Sequence, residues 1–287
     1  MTLDWIPRDK SSIPSVILRT KLYTNFMWTR LKQLGSKASL RSSQKKPAWP
    51  PQPAEPFVAI GDIHGRADLL HDLRQQLKLQ CPDWPIVFLG DYTDRGDQSR
   101  EVLEMLMTVS EEDTPPVRCL MGNHERMLLD AIDDPERAAS RWLRNGGLQV
   151  LASFGVAPPR GNSNDPIAIR SMCDALVAAM GDEMIAWLRT RPLTWQNGNV
   201  WAVHAGANPH RPLSEQSENA LLWGHPEFLS TPRQDEQWVV HGHTIVDIPH
   251  AADGRIAIDT GGYATGRLSA ALITKEGVGF LQTGKDR

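Results

Sequence analysis

Asp62 and His64 stand two residues apart in GDIHG, Asp91 opens DYTDRG, Asn123 lies in GNHE, and His204 and His243 lie in VHAG and HGHT. A carboxylate and an imidazole at this spacing after a strand can aim at one ion, and a carboxylate has two oxygens with which to bridge two cations about 3.5–4 Å apart. Asn123 adds an amide oxygen. A single Asp or His in such a place is usually a cap or a surface residue. Six of them at successive strand ends, beside glycines that let backbones approach, point to one shared metal pair. Oxygen and nitrogen donors without a thiolate suit Mn²⁺, Fe or Zn²⁺ and speak against a structural zinc site. We expect two divalent ions, Mn²⁺ first among them. Such a pair clamps a phosphate oxygen and lowers the pKa of a bridging water, and phosphoryl transfer asks little more of a protein than positioning and charge neutralisation.

The neighbours extend this chemistry. His124 follows Asn123 directly, so its ring points away from the Asn123 ion yet stays close enough to protonate a leaving oxygen, with Asp94 placed to orient its other nitrogen. Arg95 offers a planar fork that matches phosphate oxygens. Glu125 reads as a helix-start residue favoured by the helix dipole, without a catalytic role.

The elements that must position these groups recur from Phe57 onward as short apolar runs ending in Gly, Asp, Asn or His: FVAIGD, IVFLGD, VRCLMGNHE, VWAVHAG, WVVHGHT and RIAIDTGG. Continuous apolar runs are strands buried on both faces. Between the early ones lie helical patterns, Leu69, Leu70, Leu73 and Leu77, then Val102, Leu103, Leu106 and Val109. Strand, loop and helix in alternation predict an α/β layered fold, with polar residues past the strand ends gathered at one rim. Residues 167–188 read as helix. The later strands are joined by turns and irregular loops, which predicts a more antiparallel second half.

The chain has 287 residues, 40% hydrophobic, enough for one catalytic domain with a tail. The first fifty residues carry ten Lys/Arg against two Asp/Glu and the rest 21 against 32, so +8 and −11. An acidic body argues against a nucleic-acid polymer as partner. Residues 36–56 are rich in Ser, Lys and Pro, a linker composition, so residues 1–55 read as a basic, partly disordered extension and 56–287 as the catalytic domain. The segment IPSVILRTKLYTNFMWTRLKQLG could form a basic amphipathic helix that meets a membrane surface, but a flexible extension or a helix packed on the body is preferred. Cys81, Cys119 and Cys173, unpaired by spacing and odd in number, fit reduced core thiols. With no secretory signal and no apolar run of membrane length, the expected compartment is the cytoplasm.

GDIHG, GDYTDRG and GNHE in this order, followed by His204 and His243, resemble the calcineurin-like metallophosphoesterases, within them the phosphoprotein phosphatases. RNGGLQVLASFG, HAGANPHRPLSEQSENALLWG, VVHGHTIV and RIAIDTGGYATGRLSAALIT are similar to the bacterial serine/threonine phosphatase branch related to the bacteriophage lambda enzyme. The resemblance covers about residues 57–275. It implies a four-layer α-β-β-α sandwich of two mixed sheets flanked by helices, with the dimetal site at the sheet rims and a helical insert at about 126–190 that carries Trp142 and the NGG turn. It also implies that Asp62, His64 and Asp91 bind one metal and Asp91, Asn123, His204 and His243 the other, that His124 and Asp94 form the acid dyad, and that Arg95 binds phosphate.

One position departs from that branch. A second phosphate-binding arginine is expected shortly after the tryptophan of LLW, where this chain has His225, and Arg211 in the preceding loop is the other candidate for the role. His241 reads as orienting the site, Asp259 as structural. The activity these features imply is hydrolysis of phosphoserine or phosphothreonine in proteins, or of a small phosphoester, by direct attack of metal-activated hydroxide. The nearest alternative is a diadenosine tetraphosphate hydrolase. A phosphoprotein-binding scaffold and a nuclease are more distant readings.

Overall fold

The computed structural model describes residues 49–110, 115–159 and 165–284. Most of the basic extension and linker, with the amphipathic segment, lies outside the described residues.

Strand β1 (Phe57–Ile60) is buried at all four positions, and it pairs in parallel with β2 (Ile86–Phe88), which pairs in parallel with β3 (Val117–Cys119). On the other side of β1 lies β9 (Ser269–Thr274), antiparallel, followed by β10 (Gly277–Gln282). The first sheet therefore runs β10-β9-β1-β2-β3. The second runs β4-β5-β6-β8-β7, with β4 at Thr194–Asn197, β5 at Val200–Val203, β6 at Trp238–His241, β7 at His250–Ala252 and β8 at Arg255–Ala257. The sheets meet face to face: Phe57, Ala59, Val87 and Leu89 of the first share one buried cluster with Val200, Ala202, Val240 and Ile256 of the second. This interdigitation explains why the runs are apolar at every position, since the face turned away from the partner sheet is buried as well.

Helices cover the outer faces. Helix α1 (Ala67–Gln80) buries Leu69, Leu70, Leu73 and Leu77, the predicted stripe, and α2 (Ser99–Ser110) buries Val102, Leu103, Leu106 and Val109. The result is two mixed five-stranded sheets flanked by helices, the expected four-layer sandwich. Between β3 and β4 the chain forms α3 (Asn123–Asp133), α4 (Pro135–Trp142), a five-residue π turn at Leu143–Gly147, α5 (Leu148–Ser153), α6 (Pro166–Met180) and α7 (Asp182–Arg189). Further short helices are α8 (Glu218–Trp223) and α9 (Gly262–Thr265), preceded by a 3₁₀ turn at Leu213–Glu215.

The second half is the more antiparallel one, as expected: β4 pairs with β5, β7 with β8, and β9 with both β1 and β10 in antiparallel. What differs is its centre, where β5, β6 and β8 pair in parallel. The long loops after β5 and β6 return the chain to the start of the sheet, a crossover that periodicity cannot reveal. The body also begins before Phe57. Asn197 accepts from the Ala54 N–H at 2.8 Å and donates to the Glu55 carbonyl at 2.9 Å, Asn199 accepts from the Gln52 N–H, and Trp49 packs against the inter-sheet core.

Candidate metal centre

The carboxyl ends of β1, β2, β3, β5 and β6 open onto one rim, where each strand passes into a sharp turn. His64, Asp91, Asp94, Arg95 and His243 have φ of 46°, 52°, 69°, 68° and 61°. Non-glycine residues rarely take this left-handed conformation, and five of the seven that do so among the described residues lie at this rim. Glu125 holds the central turn. Its buried carboxylate accepts from the backbone N–H of Gly122, Asp91, Tyr92 and Thr93 at 2.8–3.1 Å and from the Thr93 hydroxyl at 3.0 Å. All five partners donate, which asks for the ionised form, while burial and then Asp91 push this carboxyl up to about 7. Glu125 thus sits in the first turn of α3, as expected, and in addition ties the β2 turn to the start of that helix. Gly122 and Gly242 are required for closeness: a Cβ at either would collide with the Asp91 or the Asp62 carboxylate.

Donor atoms converge within this frame. Those of His64, Asp91 and His124 lie within 4.8 Å of one another, as do those of Asp91, His204 and His243, and Asp91 is common to both groups. His204 Nδ1 donates to the Leu89 carbonyl at 2.9 Å, so its Nε2 turns a lone pair toward Asn123 Oδ1 at 2.7 Å and Asp91 Oδ1 at 3.3 Å. His64 repeats the arrangement, with Nδ1 donating to the Thr93 carbonyl at 2.8 Å and Nε2 lying 3.4 Å from Asp91 Oδ2 with no hydrogen-bond partner. Buried acceptors facing one another are unfavourable unless a cation sits between them. A backbone carbonyl that fixes the imidazole tautomer is the usual support of a metal-ligating histidine. Burial lowers His64 to about 3 and His204 to about 4, so both rings are neutral and able to ligate. Burial also raises Asp62 well above the carboxylate range, with Asp259 and Asp91 adding to the effect, and a cation would relieve that crowding. The residues present fit a pair of divalent ions.

Beside the cluster, His124 Nδ1 is 2.6 Å from Asp94 Oδ2, and the other Asp94 oxygen accepts from the Trp142 indole at 2.9 Å. Burial works to lower His124, but Asp91 and Asp94 outweigh it and the net direction is up. Arg95 Nη2 lies 3.1 Å from His124 Nε2, and its guanidinium sits 4.9 Å over the Tyr263 ring. Tyr263 in turn meets the His64 ring edge-on at 5.3 Å.

Residues 55–247 match the family profile described as calcineurin-like phosphoesterase. The chain belongs to this family. Among its relatives, a symmetrical bis(5'-nucleosyl)-tetraphosphatase from Methylococcus capsulatus is 30% identical over 53% of this chain, but the match spans only 44% of that protein. Two relatives match over most of their own length. The asymmetrical bis(5'-nucleosyl)-tetraphosphatase PrpE of Bacillus velezensis is 26% identical over 71% of this chain and 84% of its own. Serine/threonine-protein phosphatase 2 of Salmonella typhimurium is 25% identical over 73% of this chain and 89% of its own. In fold, a cold-active protein tyrosine phosphatase superposes with a TM-score of 0.51 at 18% identity, covering 87% of this chain and 85% of that one.

The remaining candidates of this calcineurin-like phosphoesterase lie at different depths. Both oxygens of Asp62 accept from the His243 N–H, at 3.1 and 3.0 Å, which joins the first and last of the predicted ligands. Asp259 accepts from the Gly261 N–H at 2.8 Å, and burial pushes it up to about 6. His241 is buried edge-on against Phe228, its Nε2 without a hydrogen-bond partner. His225 Nδ1 accepts from the Glu227 N–H at 3.3 Å, a local turn contact. Arg211 is exposed, and it is its carbonyl that is engaged, accepting from Gln216 and Arg233. No hydrogen bond or ion pair among the described residues draws His225 or Arg211 to the cluster. Tyr263 and the Trp142 bond to Asp94 were not foreseen. The tyrosine stands in GGYATG without a motif of its own, and Trp142 is separated by 48 residues from its partner.

Proposed function

We propose that this chain is a metal-dependent phosphomonoester hydrolase, with phosphoserine and phosphothreonine in proteins as the substrate class and Mn²⁺ as its ion. The observation that carries this reading is the braced pair His124 and Asp94 beside an acceptor-lined cluster, with Arg95 on the outer nitrogen. Asp62, His64, Asp91, Asn123, His204 and His243 would hold the ions. When bound, these would act as Lewis acids on phosphoryl oxygens and lower the pKa of bound water. Arg95 is placed to bind the phosphoryl group through paired N–H donors. His124 carries the proton at Nε2 to the leaving oxygen, while Asp94 keeps Nδ1 protonated and stabilises the imidazolium, and Trp142 keeps Asp94 from turning away. The match over 89% of a serine/threonine-protein phosphatase supports a protein substrate.

The second reading, a dinucleoside tetraphosphate hydrolase, is favoured by the match to the asymmetrical bis(5'-nucleosyl)-tetraphosphatase. Assays of the full chain with Mn²⁺ on a phosphoserine peptide and on diadenosine tetraphosphate separate the two. We expect the larger kcat/KM on the peptide, and a larger value on the dinucleotide would overturn the first reading in favour of the second.

A further inference from the structure

We propose that Arg141, delivered by helix α4, is the second phosphate-binding guanidinium of this site and takes over the role sought at position 225. The proposal rests on the phosphoester-hydrolase reading and names a residue that reading lacks. Arg141 Cζ sits 4.5 Å over the Trp223 ring, and Trp223 stands edge-on to His243, 6.4 Å between centroids at 88°. On the other side of the cluster, Arg95 sits over Tyr263, which stands edge-on to His64 at 84°. Each half of the centre thus has a ligand imidazole, an aromatic shelf on its edge, and a guanidinium on the shelf. A guanidinium stacked on a ring keeps its charge and leaves the N–H groups at its rim free for a phosphate fork.

The position of Arg141 is built. Its neighbour Trp142 is fully buried and bonded to Asp94, so the last turn of α4 is fixed to the acid dyad. The Arg141 carbonyl accepts from the Asn145 amide at 2.8 Å, closing the π turn that follows. Within that turn Gly146 has φ of 116°, and a Cβ there would meet the Arg95 backbone nitrogen, so the segments that carry the two guanidinium groups touch. No carboxylate pairs with Arg141 among the described residues, and the ring is its guanidinium contact. His225, by contrast, has turned its ring to the Glu227 N–H.

The test uses the full chain loaded with Mn²⁺, comparing wild type with Arg141→Ala, Arg141→Lys and, as a control on the same exposed turn, Arg144→Ala. Orthophosphate binding is measured by calorimetry, kcat and KM with p-nitrophenyl phosphate, and Tm alongside. We expect Arg141→Ala to weaken orthophosphate roughly tenfold and to lower kcat/KM by roughly ten- to a hundredfold at unchanged Tm, the loss of a charge-assisted hydrogen-bond pair. Arg141→Lys should recover part of both and Arg144→Ala should match wild type. Orthophosphate affinity within about twofold of wild type in Arg141→Ala would overturn the assignment, as would failure of the wild type to bind orthophosphate. A wild type that binds orthophosphate but cleaves no phosphoester would instead sink the hydrolase reading, and the binding comparison would still decide Arg141.

Discussion

Arg95 Nη2 lies 3.1 Å from His124 Nε2, and a guanidinium can only donate, so this nitrogen accepts and His124 keeps its proton on Nδ1 facing Asp94. In the proposed reaction the acid needs the proton at Nε2. Arg95 and that proton therefore compete for one nitrogen, and a phosphoryl group that draws Arg95 away frees it. The Arg95 charge also works to lower His124. Replacing Arg95 by Gln should shift the basic limb of the kcat/KM profile of the metal-loaded chain to higher pH while lowering turnover at least tenfold. Arg95→Lys, which keeps the charge, should leave the limb near its wild-type position. An unmoved limb in Arg95→Gln would show that the two groups do not interact in solution.

Trp142 is fully buried and donates one bond to Asp94. Trp142→Phe keeps an aromatic ring there but leaves a buried Asp94 oxygen without that donor, a loss of about 1–3 kcal/mol, to which the smaller ring adds a cavity cost. Urea unfolding should register this, and kcat with p-nitrophenyl phosphate should fall about tenfold because Asp94 no longer holds His124 in one orientation. A stability loss without a fall in kcat would confine Trp142 to packing.

Glu125 is the more severe case. Glu125→Gln supplies one acceptor oxygen where five donors now share two, and the amide presents N–H groups to N–H groups. Destabilisation on the order of 3 kcal/mol is expected, together with weaker Mn²⁺ retention, because the turn that carries Asp91 loses its brace. Dialysis against chelator with metal analysis would read the second effect. Wild-type retention would mean that the turn holds without Glu125.

Three buried histidines work against the metal-free protein in acid. His64, His204 and His241 are lowered by burial to about 3, 4 and 4, against 6.5 for an exposed ring. A lowered imidazole pKa means that the unfolded chain binds the proton more readily, so stability is fully present above pH 6.5 and is lost as pH falls toward 4. Burial raises the Glu125 and Asp259 carboxyls to about 7 and 6, and these act with the opposite sign, so the histidine part is read by difference. Between pH 7.5 and pH 5 the urea midpoint of chelator-treated His241→Leu should fall less, or rise more, than that of wild type; an equal change would show that His241 contributes nothing to the acid response.

What the sequence made legible was whatever repeats in register with a strand. Asp62, Asp91 and Asn123 could be found because each follows an apolar run, and parallel strands bring their carboxyl ends to one rim. Glu125 was visible as a residue but not as a hub, since four of its five donors come from a turn that the β2–β3 pairing brings to it. Trp142, Tyr263 and Arg141 act across 48 to 168 positions of chain, and their partners Asp94, Arg95 and Trp223 could not be assigned by spacing. The parallel core of the second sheet escaped for the same reason, because the direction of a strand depends on how its loop returns.

If the convergent acceptors around Asp91 hold divalent ions for phosphoester hydrolysis, titrating the chelator-stripped full chain with Mn²⁺ will restore it, followed as p-nitrophenyl phosphate turnover and bound metal in wild type and Asp91→Asn. Turnover should rise with occupancy, level off near two ions per chain and be abolished by Asp91→Asn, whose neutral amide cannot replace the carboxylate common to both donor groups. Turnover independent of Mn²⁺, or surviving in Asp91→Asn at the wild-type rate, would contradict it.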